Sequence, residues 1–207
     1  MKTPKIQLFL FLLFFSIFAL TGQGSIQSAD GKIMFFLTQA MVENQSVSFS
    51  EVVSMESAPG PQFSKYGLGM SILAIPFYIF GKVLSALLGI EASLATQFSV
   101  SMINALLTAF SCLIMYQFAT KRFNFSPRTS LLLASGFGLS TIAWYYSEDF
   151  MSEPATTFFL LSAVYFVTSK DPATRKWDLF TAGTFLALAV SCRLAVLVTI
   201  PGFIIYQ

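Results

Sequence analysis

The sequence predicts an all-α, polytopic helical membrane protein with amphipathic juxtamembrane helices in its first outer loop. Of 207 residues, 55% are apolar and 11% are charged, where a soluble domain carries about 25% charge. Phenylalanine occupies 24 positions and mean hydropathy is +0.71, more apolar surface than a soluble domain of this length can hide. The apolar residues gather into runs approaching the about 20 residues that a bilayer span needs. Disorder is excluded, because it needs low hydrophobicity and high charge.

The elements follow in order as one transmembrane domain over 1–207. Lys2 and Lys5 precede a charge-free stretch, Ile6 to Thr21, which predicts a span over 6–22. The small-x-small pattern around Ala19 to Gly24 is poor, so an uncleaved anchor is expected over a cleaved signal peptide. Residues 23–93 form the first outer loop. Within it, Ile33, Phe36, Leu37, Ala40 and Met41 recur at helical spacing and predict an amphipathic helix over Gly31 to Glu43. Ala58-Pro59-Gly60-Pro61 is a turn signal. Residues 66–90, with Pro76 and Lys82 inside, are expected to lie at the outer interface. Further spans are expected over 94–119, 129–147, 154–169 and 178–192. A last helix, 194–207, runs off the end of the chain, which predicts an N-terminal portion of a longer protein.

Charge decides the layout. With 66–90 at the interface, Lys2, Lys5, Lys121, Arg122, Arg128, Lys170, Arg175 and Lys176 face the cytoplasm, and Lys32, Lys65, Lys82 and Arg193 face out. If 66–90 spans, that bias inverts, against the positive-inside rule. The N-terminus is therefore expected in the cytoplasm. Eight of the ten acids then fall outside, leaving Asp171 and Asp178 within.

The chain has no histidine, so Ser-His-Asp and Cys-His catalysis and histidine-ligated metals are excluded. Cys112 and Cys192 lie in apolar runs and predict neither a disulfide framework nor a zinc site. With no basic stripe, no nucleic-acid partner is expected.

The remaining chemistry lies in carboxylates and cations. Asp30, in Ser28-Ala29-Asp30-Gly31, reads as a helix N-cap, which would also hold a catalytic carboxylate rigidly. Glu148, Asp149 and Glu153 crowd a boundary ahead of Pro154. Low dielectric and mutual repulsion there suit a general base, while a solvated loop would look the same. Arg193 interrupts an apolar run and reads as an ion-pair partner for these acids or as a phosphate clamp. Lys65, in Ser64-Lys65-Tyr66-Gly67-Leu68-Gly69, stands where an anionic headgroup would pass, or where lysine simply snorkels.

These segments, in this order and with Leu73-Ala74-Ile75-Pro76-Phe77-Tyr78, Asn104-Ala105-Leu106-Leu107-Thr108 and Tyr146 to Pro154, resemble the N-terminal part of GT-C-type membrane glycosyltransferases. That group includes polyprenyl-phosphate-sugar-dependent mannosyl and aminoarabinosyl transferases. The resemblance implies a GT-C-like fold and inverting transfer from a polyprenyl-phosphate-linked sugar at the extracytoplasmic face. It implies Asp30 as base and Glu153 as a second catalytic acid, with Glu148 and Asp149 nearby and Lys65, Tyr66 and Arg193 at the lipid phosphate. Many members carry two adjacent acids in the first loop; here Asp30 is followed by glycine. A divalent metal held by outer carboxylates is compatible with this chemistry and not required by it. Sugar and acceptor (lipid, glycan or protein) stay open. The reading from another class is a non-enzymatic transporter segment or assembly subunit, with its acids facing water or paired internally.

Overall fold

The structure, a computed structural model, describes residues 3–50, 61–169 and 171–206. Lys2, Glu51, Glu56, most of the Ala58 to Pro61 turn signal, and Lys170 lie outside the described residues. The described residues are all-α apart from one small two-stranded antiparallel sheet. In order come α1 (Thr3–Thr21), α2 (Ala29–Glu43), β1 (Ser48–Phe49), β2 (Gln62–Phe63), α3 (Leu68–Leu88), α4 (Ala92–Lys121) and α5 (Pro127–Leu139). They are followed by α6 (Ile142–Ser147), α7 (Ser152–Val167), α8 (Arg175–Cys192), a 3-10 helix (Leu194–Thr199) and α9 (Ile200–Tyr206).

Local chemistry sets the boundaries. Ser126 accepts from the Thr129 N–H at 3.2 Å with Pro127 in the first turn of α5, the favoured start of a helix. Gly89, at φ 67°, closes α3 in the left-handed conformation.

Two expected helices are divided. The run 129–147 breaks between α5 and α6, because Thr141 turns its hydroxyl to the Ala143 N–H (3.1 Å) and caps a new helix. Segment 194–207 starts as 3-10 helix, where Val196, Val198 and Thr199 are stiff at χ1. It becomes α-helical at Ile200.

Among the described residues, two helices are long and apolar enough to cross a membrane: Leu68–Leu88 and Ala92–Lys121. Lys5–Thr21 and Leu194–Tyr206 are shorter apolar helices.

α4 is the axis of the bundle and packs against α1, α3, α5 and α7. Its buried face is rich in small polar residues, Ser99, Ser101, Asn104, Thr108 and Ser111, which let neighbouring backbones approach closely. α1, α3 and α7 divide its length. α3 meets its first half, where Pro76, Phe77 and Phe80 face Phe98, Ser99 and Met102. α1 and α7 meet its second half through Phe11, Phe110 and Phe158 and through Phe118 and Tyr165.

α2 and α3 start side by side and run in parallel. Thr38 and Ser71 exchange hydroxyl bonds with the Ser71 and Met34 carbonyls at 3.1 and 3.0 Å. One turn beyond, Glu43 accepts from Tyr78 and Lys82, both at 2.8 Å. The buried side of α2 is wider than its apolar periodicity implies. Met34, Phe35 and Thr38 are buried along with Leu37 and Ala40, while Ile33, Phe36 and Met41 are only partly covered. The helix is enclosed twice, by the core around α3 and α4 and by Phe49 of β1.

Candidate functional site

The site is assembled from the loop between α6 and α7. Asn104, fully buried on α4, donates its amide to the carbonyls of Tyr146 (3.2 Å), Asp149 and Met151 (3.0 Å). Three carbonyls around one side-chain atom identify that atom as nitrogen. A single buried amide thus fixes residues 146–151 against the axial helix.

Asp149 then ties the loop to the start of α2. Its carboxylate accepts the backbone N–H groups of Ser28 (2.7 Å), Gln27 (3.2 Å) and Phe150 (2.7 Å), and the residue is 7% exposed. The Glu148 carbonyl adds a bond from the Gln23 N–H at 3.3 Å. Both acids are therefore in the framework: neither lines the cavity that holds Asp30.

Asp30 is not the N-cap of α2. Ser28 is, accepting from the Gly31 N–H at 3.1 Å. Two residues further on, Asp30 occupies the exposed first turn, where a negative charge suits the helix dipole. The cap duty falls to the hydroxyl, so the Asp30 carboxylate stays free for other work. Directly after Asp30, a Cβ at Gly31 would collide with the Phe150 carbonyl and the Ser28 hydroxyl. Only glycine lets α2 begin this close to the loop.

Across from Asp30, Gly67 opens α3 directly against the Ser191 carbonyl at the end of α8, where any side chain would collide. That contact brings Tyr66 and Lys65 to the cavity. Burial first, and then the Asp30 carboxylate beside its hydroxyl, push the Tyr66 phenol above its usual range. The Lys65 ammonium lies 5.1 Å from the Tyr66 ring centroid. The phenol oxygen, and then the Asp30 charge, hold it above the ordinary lysine range.

The third wall is a pair. Glu153 sits in the first turn of α7, and Arg193 donates to it from the end of α8. The chain turns extended at Arg193, φ −151° and ψ 111°, so its side chain leaves the helix at the bundle end. With side chains 49% and 28% exposed, Arg193 and Glu153 form a boundary pair, and neither is a charge sunk in an apolar core.

Asp30, Lys65, Tyr66, Glu153 and Arg193 thus line one cavity of about 150 Å³. Five of the seven residues singled out in the sequence meet there. Ser152, absent from that set, also lines it, with its hydroxyl 3.5 Å from Glu153 Oε2. Asn104 went unassigned in the sequence, although an amide inside an apolar run was its signal. Among the described residues no group of three or more His, Cys, Asp or Glu side chains is placed to hold a metal ion. The cavity offers two carboxylates, a phenol and two cations. That set suits taking a proton from one group while holding a negative charge on another.

No family model, curated protein or solved structure matches this chain.

Proposed function

We propose that this chain is a multi-pass membrane protein carrying the donor-side catalytic site of a GT-C-type glycosyltransferase, acting on a polyprenyl-phosphate-linked sugar at the extracytoplasmic face. The observation that carries the reading is the convergence of Asp30, Lys65, Tyr66, Glu153 and Arg193 on one cavity, although they come from four separate parts of the chain.

The membrane layout draws on the exposed apolar belts of the bundle. Leu8, Phe9 and Leu12 of α1, Leu131, Leu132 and Leu133 of α5, and Phe180 of α8 are all exposed, a surface that lipid would cover. Lys121, Arg122, Arg128, Arg175 and Lys176 gather at the opposite end from Asp30, as the positive-inside rule asks. α3, which packs on the first half of α4, is read as interfacial from the charge bias, although its length and composition also suit a span.

In the proposed chemistry an acceptor hydroxyl or amine attacks the anomeric carbon. The new bond to the acceptor forms as the bond from that carbon to the phosphate oxygen breaks. The acceptor proton passes to Asp30, and the bonding pair leaves with the polyprenyl phosphate. Arg193 and Lys65 stabilise the charge developing on that phosphate, and Glu153 orients Arg193. Tyr66, its proton retained well above neutral pH, donates a hydrogen bond in the same cavity. Effective molarity from holding donor and acceptor together supplies much of the rest.

A second reading is a non-enzymatic membrane subunit, and the Glu153–Arg193 ion pair is the observation in its favour, since internal pairing needs no ligand. The test is transfer of labelled sugar from a polyprenyl-phosphate donor by membranes containing the full-length protein. Donor-dependent labelled product is expected. Its absence across donors overturns the enzymatic reading.

A further inference from the structure

The end of the bundle remote from Asp30 holds a second concave site. It is a cleft of about 370 Å³ lined by Phe118, Lys121, Arg122, Phe123, Asn124 and Tyr206, together with Thr168. It forms where α4 ends. The Phe125 N–H returns to the Ala119 carbonyl at 3.0 Å. Asn124 takes φ 55°, a left-handed conformation that asparagine tolerates better than most residues.

Two cations face this cleft, and no carboxylate of the described residues lines it. Among the described residues neither Lys121 nor Arg122 belongs to an ion pair. Arg122 lies 4.6 Å over the Tyr165 ring and donates Nη2 to the Tyr165 carbonyl at 3.0 Å, while its shielded Nε has no partner. The acids at this end do not line the cleft: Asp178 accepts from the Thr174 hydroxyl (2.7 Å) and feels the charges of Arg122 and Arg175 without an ion-pair contact, and Asp171 accepts from the Ala173 N–H (2.9 Å). Arg175 differs in kind. Its Nη1 closes the end of α7 through the carbonyls of Val167 (2.8 Å) and Ser169 (3.0 Å). A guanidinium held against an aromatic face, partly desolvated, with an unpartnered Nε and no ion-pair contact, is a site for an anion.

We propose that this cleft binds a phosphate group carried by an anionic lipid headgroup at the cytoplasmic boundary. Lys121 and Arg122 take the phosphate oxygens, and Asn124 takes a neutral headgroup atom. The aromatic rim argues for lipid over a dissolved ion. Tyr206 lines the cleft and stands exposed, as amphipathic rings do at the headgroup level, and Phe123 and Phe125 add exposed apolar rings beside the cations. The inference rests on the membrane layout proposed above and is independent of sugar transfer.

The test uses the protein in detergent and in bilayer nanodiscs, titrated with short-chain phosphatidylglycerol, phosphatidylcholine or sodium phosphate at constant ionic strength. Thermal shift and native mass spectrometry are the readouts. Phosphatidylglycerol is expected to bind tighter than phosphatidylcholine. Lys121→Gln and Arg122→Gln should each weaken it about five-fold, the effect of about 1 kcal/mol per basic side chain at an anionic surface. Arg128→Gln and Lys176→Gln, at the same end but outside the cleft, should leave it unchanged. Should Arg122→Gln fail to fold for want of its Tyr165 bond, the exposed Lys121 carries the test alone. Equal binding of the two lipids overturns the proposal, as does equal weakening by the Arg128 and Lys176 variants. Inorganic phosphate competing as well as phosphatidylglycerol overturns the lipid source and leaves a phosphate-ion site. A protein that does not enter nanodiscs at all refutes the membrane layout instead.

Discussion

Asp149 holds Ser28. The carboxylate accepts the Ser28 N–H at 2.7 Å across 121 positions of sequence, and Ser28 in turn caps the helix that presents Asp30. The candidate base is therefore placed by a residue that never lines its cavity. Asp149→Ala should leave the N–H groups of Gln27, Ser28 and Phe150 without their shared acceptor, at a cost on the order of 1–3 kcal/mol for the buried Phe150 N–H and less for the two part-buried ones. Amide hydrogen exchange should rise at residues 26–31 well before the rest of α2. Asp149→Asn, which keeps an acceptor, should fall between the variant and wild type.

Asn104 bears the other side of the same loop. Asn104→Asp puts a carboxylate against three carbonyl oxygens and removes every donor. It should destabilise more than Asn104→Ala, which loses bonds without adding repulsion. Thermal unfolding in detergent compares the two. A milder Asp variant would mean the amide is not the donor at this position.

Gly31 tests the close approach directly. Gly31→Ala forces a Cβ into the Phe150 carbonyl, and overpacking of this kind costs typically about 1–3 kcal/mol. Gly183, whose Cβ would meet nothing within 4 Å, is the control: Gly183→Ala, inside α8, should be neutral or stabilising.

The tie between α2 and α3 should depend on pH. The Lys82 ammonium, and then the Tyr78 hydroxyl, hold the Glu43 carboxyl below the usual carboxylate range. A lowered folded value contributes stability above the unfolded carboxylate pKa, about 4.3, and loses it as pH falls through the folded value. The advantage of wild type over Glu43→Gln in thermal midpoint should thus be present at pH 7 and shrink below about pH 4. The side chains are 47% and 32% exposed, so the advantage is small and sensitive to salt. A gap that stays constant with pH would contradict the assignment.

Much of this arrangement was legible beforehand. Apolar runs located most helices, chemical type picked out Asp30, Lys65, Glu153 and Arg193, and Tyr66 came with the resemblance. Roles were harder to read. Asp30 looked like a cap because Ser28 and Asp30 are equally good caps, and only backbone geometry chooses between them. Asp149 and Glu153 look alike in sequence. They diverge because one faces two free N–H groups and the other faces a guanidinium. The division at Ser140 and Thr141 was hidden because hydroxyl side chains suit helices and caps alike, and neighbours decide. The two-sided enclosure of α2 escaped periodicity, since a local pattern carries no record of a strand folding over it.

The central claim is that Asp30 takes the acceptor proton. The most direct measurement is sugar transfer from a polyprenyl-phosphate donor by the full-length protein in membranes, comparing wild type with Asp30→Asn while donor binding is followed separately. Loss of a general base predicts a fall in turnover of about 10²–10⁴-fold, with donor binding retained through Lys65 and Arg193. Turnover equal to wild type would contradict the account and remove Asp30 from the mechanism.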